Sequence, residues 1–156
     1  MKRIFLFAVL AAAAMTLLSC ETLDSLNPKK KAQAEFSAMF PDAFDIEWEM
    51  KVSHWEVSFK TGTPPEVKDC EAWYDLKTGA WLRTETDLLE SALPQAVKDA
   101  LAKSEYATAV LDAGDIEYVE TPDGNFYQLE INYKGVEIKL EVTEEGKISL
   151  GQVKIE

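Results

Sequence analysis

The sequence predicts an α+β fold made of two repeats, each one helix followed by about four antiparallel strands, with both helices packed on one face of the sheet. Three observations predict it. Apolar residues spaced three and four apart occur twice, at 31–40 and 91–103, and each stripe is followed by runs in which apolar and polar residues alternate. The runs are joined at Gly79, Asp123-Gly124, Lys134-Gly135 and Glu145-Gly146, where glycine supplies the positive φ that tight hairpins require. Asp45-Ile46-Glu47-Trp48 echoes Asp115-Ile116-Glu117-Tyr118, so the halves at about 31–88 and 89–156 read as copies.

The chain opens with Lys2 and Arg3, then runs apolar from Ile4 to Leu18 and breaks at Ser19-Cys20. That run is shorter than the roughly 20 residues a membrane-spanning helix needs, and its basic start fits an export signal over 1–19. Leu17-Leu18-Ser19-Cys20 resembles the lipobox of bacterial lipoproteins, which makes Cys20 the expected acylated residue and 20–30 its tether. An outer-membrane lipoprotein facing the periplasm or the cell surface is expected. The alternative is a plain secretory signal with Cys20 an ordinary residue. Cys70 is then the remaining thiol and reads as a small buried hydrophobe.

Within the predicted domain, 31–156, the first helix carries Ala32, Phe36, Met39 and Phe40 on one stripe and stops at Pro41. Ile46, Trp48 and Met50, then Trp55, Val57 and Phe59, alternate with polar residues as half-buried strands do. A loop through Thr61, Pro64, Pro65 and Asp69 follows. The second helix, Ser91 to Lys103, takes Pro94 into its first turn and presents Leu93, Val97, Ala100 and Leu101. Four strands then carry Ile116 and Tyr118; Tyr127, Leu129, Ile131 and Tyr133; Val136, Ile138, Leu140 and Val142; and Ile148 and Leu150. Trp48, Trp55 and Tyr118 are expected at the centre of the core.

The hairpin Glu71–Thr86, EAWYDLKTGAWLRTET, departs from this pattern. Trp73 adjoins Tyr74 and Trp81 adjoins Leu82, and successive strand side chains point to opposite faces, so both faces carry bulky apolar groups. One register pairs Tyr74 with Trp81 on the buried face and exposes Trp73 and Leu82. The other pairs Asp75 with Trp81 and groups Trp73, Trp81 and Arg83. Matching Trp81 to Ile148 of the second half favours the first. Either leaves a large apolar group facing away from the helices, so Trp73, Trp81, Leu82 and Arg83 are the candidate binding residues. The second half reads as single-sided, with Glu137, Lys139 and Glu141 on one face of its third strand.

The chemistry of catalysis is sparse. His54 is the only histidine and reads as solvent-facing, with no serine, cysteine or HExxH motif to make it a base or ligand. The carboxylates do not form a calcium loop, and neither a metal site nor a cofactor is expected. Glu47, Glu49 and Glu56 could gather beside the tryptophans as an acidic, aromatic patch. The formal charge of −12 rises in magnitude to −14 if 1–19 is removed, since that segment holds Lys2 and Arg3 and no acid. Such an excess repels phosphate backbones and excludes nucleic acid as a partner.

Taken in order, FPDAFDIEWE, EAWYDLKTGAWLRTET, ALPQAVKDAL and DIEYVETPDGNFYQLEI resemble the PepSY-like, β-lactamase-inhibitor-like lipoproteins and periplasmic proteins of Bacteroides and relatives. The resemblance covers about Phe36 to Ile148. It implies an architecture like that of the β-lactamase inhibitory protein, in which a concave sheet face grips a partner, and it brings no catalytic motif. The expected function is a non-catalytic protein-binding module of the cell envelope, with an inhibitor of a secreted or periplasmic enzyme as one form of it. The other readings are a self-associating structural protein whose patch makes a homodimer, a small-ligand binder, and a hydrolase acting through His54.

Overall fold

Asn27 begins the first helix. Its Oδ1 accepts from the backbone N–H groups of Lys29 (3.0 Å) and Lys30 (3.4 Å), and Pro28 takes the first helical position, where a missing N–H costs nothing. Helix α1 (Pro28–Met39) therefore includes Pro28, Lys29 and Lys30, which the sequence assigns to the tether. The computed structural model describes residues 27–151, so the export signal, Cys20 and the tether before Asn27 lie outside the described residues.

Eight antiparallel strands follow in one sheet whose spatial order is the chain order. They are β1 (Phe44–Met50), β2 (His54–Thr63), β3 (Glu66–Asp75), β4 (Trp81–Asp87), β5 (Val110–Thr121), β6 (Gly124–Tyr133), β7 (Val136–Thr143) and β8 (Ile148–Leu150). Between β4 and β5 come a single 3-10 turn (Glu90–Ala92) and helix α2 (Gln95–Lys103). The expected helix from Ser91 is thus split. Leu93 precedes a proline and is extended, with φ −60° and ψ 134°, so regular helix starts only after Pro94. The expected loop from Thr61 to Asp69 is also corrected. Lys60 to Thr63 pair with Asp69 to Glu66, leaving Pro64-Pro65 as the turn.

Following the register from strand to strand places Trp55, Val57, Phe59, Cys70, Ala72, Tyr74, Thr84, Tyr118, Tyr127, Leu129, Leu140 and Val142 on one face. Both helices pack there. Ala32 and Phe36 of α1 cover Val57, Phe59, Cys70, Ala72 and Tyr74, while Leu93 and Val97 of α2 side cover Ile116, Leu129, Ile131, Leu140 and Val142. Each fully buried aliphatic or aromatic side chain contributes about 1.5–3 kcal/mol. Around α1 the aromatic edges interlock: Phe36 meets Phe59 at 4.9 Å and Trp48 at 5.6 Å, both near perpendicular. The core centres expected at Trp48, Trp55 and Tyr118 are displaced, because all three are half-buried at the margins. Trp48 lies on the edge strand, Lys29 covers the Trp55 ring at 4.8 Å, and Tyr118 directs its hydroxyl to Glu144. Cys70 is buried, as expected for a small hydrophobe.

Two hairpin glycines touch the helices. Gly79 (φ +69°) closes β3–β4 under α1, where a Cβ would stand 2.2 Å from the Pro28 carbonyl oxygen. Gly146 (φ +83°) closes β7–β8 under α2, where a Cβ would stand 3.0 Å from the Ala96 carbonyl oxygen and the Ala100 Cβ. Each position needs both the left-handed backbone and the missing side chain.

Candidate binding face

The opposite face of the sheet carries no helix among the described residues. The register puts Glu56, Glu71, Trp73, Arg83, Glu85, Glu117, Val119, Phe126, Gln128 and Glu141 on it. An uncovered antiparallel face is ordinarily polar and wet. Here Val119 is 0% exposed, Glu85 3% and Gln128 5%, and Val119 sits in register between Glu85 and Phe126.

Trp73 organises the β2–β4 end of this face. On the β2 side the His54 ring stacks on its indole, with centroids 4.1 Å apart and planes 24° apart. On the β4 side the Arg83 guanidinium lies 4.3 Å from the ring centroid, a cation–π contact. Arg83 also pairs with Glu85, its neighbour on the same face two residues on. Burial lowers the Arg83 pKa from its usual value, and the carboxylates of Glu117, Glu141 and Glu71 oppose that shift. Further acid surrounds this core. Gln128 Nε2 donates to Glu117, Glu130 pairs with Lys139 at 3.8 Å, and Asp87 sits near Glu117, Asp69 and Asp115.

The candidate residues from the sequence divide between the two faces. Tyr74 pairs with Trp81 on the helix-bearing face, where Trp81 joins the α1 cluster and donates from Nε1 to Thr84 Oγ1 at 3.0 Å. Trp81 therefore belongs to the core and leaves the candidate site. Trp73 pairs with Arg83, so the register shifts by one residue and Leu82 is the extra residue of a β-bulge, 39% exposed at the strand. The bulge reconciles the two registers: Tyr74 and Trp81 share the core, while Trp73 and Arg83 share the outer face.

His54 is a second correction, being 9% exposed and packed against Trp73 rather than facing solvent. Its Nδ1 lies 2.9 Å from Ser53 Oγ and its Nε2 3.5 Å from Glu56 Oε2. Glu56 is shared with Lys51 at 3.2 Å, and Glu49 joins the same lysine at 2.6 Å. This local polar clamp holds the ring flat on the indole. Glu47 faces Ser58 across the sheet, so of the three expected acids only Glu56 reaches the aromatic stack.

The expectation of a single-sided second half is also overturned. Val119 and Phe126 lie on the helix-free face, beside Tyr118 and Tyr127 on the other. The signal was present in the sequence, since Tyr118-Val119 and Phe126-Tyr127 are adjacent apolar pairs like Trp73-Tyr74. Among the described residues no group of three or more His, Cys, Asp and Glu is placed to hold a metal ion. No described helix is long and apolar enough to cross a membrane.

Comparison with known proteins agrees with this architecture. A BLIP-like protein from Bacteroides fragilis is 26% identical, with a TM-score of 0.67 over 83% of this chain and 88% of that one. A structure described as a "putative periplasmic" protein from Bacteroides eggerthii is 20% identical, with a TM-score of 0.62 over 76% of this chain and 83% of that one. No curated protein is matched. The family model described as "Putative beta-lactamase-inhibitor-like, PepSY-like" matches residues 53–149, from the turn before His54 to the last strand, and the chain belongs to that family.

Proposed function

We propose that this chain is a non-catalytic protein-binding module of the cell envelope, held there by an acyl group on Cys20, and that it grips its partner with the helix-free sheet face. The observation that carries the reading is the Trp73–Arg83 pair set among buried Val119, Glu85 and Gln128 on a face that no described helix covers. Tryptophan and arginine supply most binding hot spots, and a rigid stack loses little entropy on engagement. The Glu71, Glu117 and Glu141 carboxylates around Arg83 suit a partner that presents basic groups. A secreted or periplasmic enzyme inhibited by this grip is the partner class to assay first. We read the two halves as copies of one helix-plus-four-strand unit, supported by the matching contacts of Gly79 with α1 and Gly146 with α2.

A photo-crosslinker placed at Glu71, on the helix-free face, should capture one specific envelope or secreted protein. The same group at Lys103, on α2, should not. Capture through Lys103 alone would contradict the assignment of the face.

The Ser53–His54–Glu56 contacts favour a second reading, a hydrolase. Against it, the serine and histidine are adjacent in sequence and the ring is packed flat on Trp73. A hydrolytic activity abolished in both Ser53→Ala and His54→Ala would establish that reading over the first.

A further inference from the structure

The sheet ends in two unequal edges. β8 has three residues, whereas β1 has seven and pairs only with β2 among the described strands. An edge strand presents unpaired backbone donors and acceptors along its outer side. β1 and the turn after it also expose apolar side chains in quantity: Ile46 is 48% exposed, Met50 64% and Val52 99%.

The register sorts the side chains of β1 by face. Trp48 opposes Val57 and Met50 opposes Trp55, so these two, with Ile46, lie on the helix-bearing side. Glu47 opposes Ser58 and Glu49 opposes Glu56, so both acids lie on the other side. A strand added outside β1 must therefore carry apolar residues at alternate positions and cations at those between. The irregularity between Phe44 and Glu47, with Asp45 at φ 53°, confines regular pairing to Glu47–Met50.

A second copy is a poor occupant. Antiparallel pairing of β1 with itself about Trp48 sets Glu47 against Glu49 twice on one face, and pairing about Glu47 sets that carboxylate against its own copy. Like charges directly opposite one another are destabilising, and each chain carries a net charge of −12. We propose that β1 is a strand-addition site for an extended segment of a partner protein in which apolar residues alternate with lysine or arginine. Main-chain hydrogen bonds supply the affinity, and Glu47 and Glu49 select the sequence. The inference stands apart from the grip of the helix-free face and holds or fails without it.

The test is amide NMR and hydrogen exchange on the chain with three synthetic peptides. They are acetyl-KVKVKVK-amide, the block peptide acetyl-KKKKVVV-amide, and the first with all interior amides N-methylated. The alternating peptide should shift and slow the amides of residues 46–50, while the block and N-methylated peptides should do neither. The Glu47→Lys variant, altered at an exposed position outside the Lys51–Glu56 clamp, should bind the alternating peptide about fivefold more weakly, the equivalent of roughly 1 kcal/mol. Equal effects of all three peptides, or perturbation spread over the acidic surface without protection at 46–50, would overturn the proposal. Protection of those amides by raised protein concentration alone would assign the edge to a second copy and overturn it equally.

Discussion

At Tyr74 the fold tolerates a polar atom it does not use. The residue is fully buried beneath α1, its hydroxyl has no hydrogen-bond partner among the described residues, and burial, then Glu35, pushes its pKa well above the usual tyrosine value. Removing an unpaired buried hydroxyl removes a desolvation penalty, so Tyr74→Phe should stabilise the fold by about 1 kcal/mol. Urea unfolding would check it, and a loss of stability would show that the hydroxyl is satisfied. At Asp87 the cause is also desolvation first, with Glu117, Asp69 and Asp115 adding repulsion, and all raise its pKa. A carboxyl raised in the folded state favours folding while protonated, and that contribution is lost as pH rises through the folded pKa. Asp87→Asn should therefore raise the thermal midpoint at pH 7, and the gain should shrink as pH falls toward the ordinary aspartate value of about 3.9. Single residues also mark where sequence reading stops. Trp73 was legible as an outward aromatic from its neighbour Tyr74, but His54 was not legible as its stacking partner. That contact is diagonal across β2 and β3 and depends on a register no local pattern states.

The β3–β4 hairpin shows the same limit at the scale of an element. Both candidate registers were readable from EAWYDLKTGAWLRT, but the bulge at Leu82 that lets Tyr74 meet Trp81 and Trp73 meet Arg83 has no sequence mark. Helix α1 was legible from its stripe and its stop at Pro41, and its true start was available in Asn27-Pro28, a pair that serves equally as a turn and as a cap with its first helical residue. Hairpin glycines separate by what lies above them. At Gly135 (φ +83°) an added Cβ has nothing within 4 Å, so Gly135→Ala should cost only the left-handed penalty of about 1–2 kcal/mol. At Gly79 an added Cβ would stand 2.2 Å from the Pro28 carbonyl oxygen, so Gly79→Ala should cost about 1–3 kcal/mol more, as overpacking does. Equal losses in denaturant unfolding would mean that α1 moves aside freely.

For the whole molecule, the α+β class, the roughly eight antiparallel strands and the one-sided helices were readable, because hydrophobic period and turn glycines act locally, whereas the strand order came only with the structure. What was hidden is the continuity of the outer face. The sheet crosses from one half to the other through Thr84–Asp87 against Glu120–Glu117, which sets Val119 between Glu85 and Phe126. Reading the halves separately could not show that their outward groups form one surface. Binding of a protein by this surface is checked by capture from envelope and secreted fractions. Three chains are compared: the parent, Trp73→Glu, and Leu89→Glu, an exposed position after β4, each shown to be folded. One specific partner should be held by the parent and by Leu89→Glu and lost by Trp73→Glu. A partner held equally by all three, or none held by any, would contradict binding by this surface.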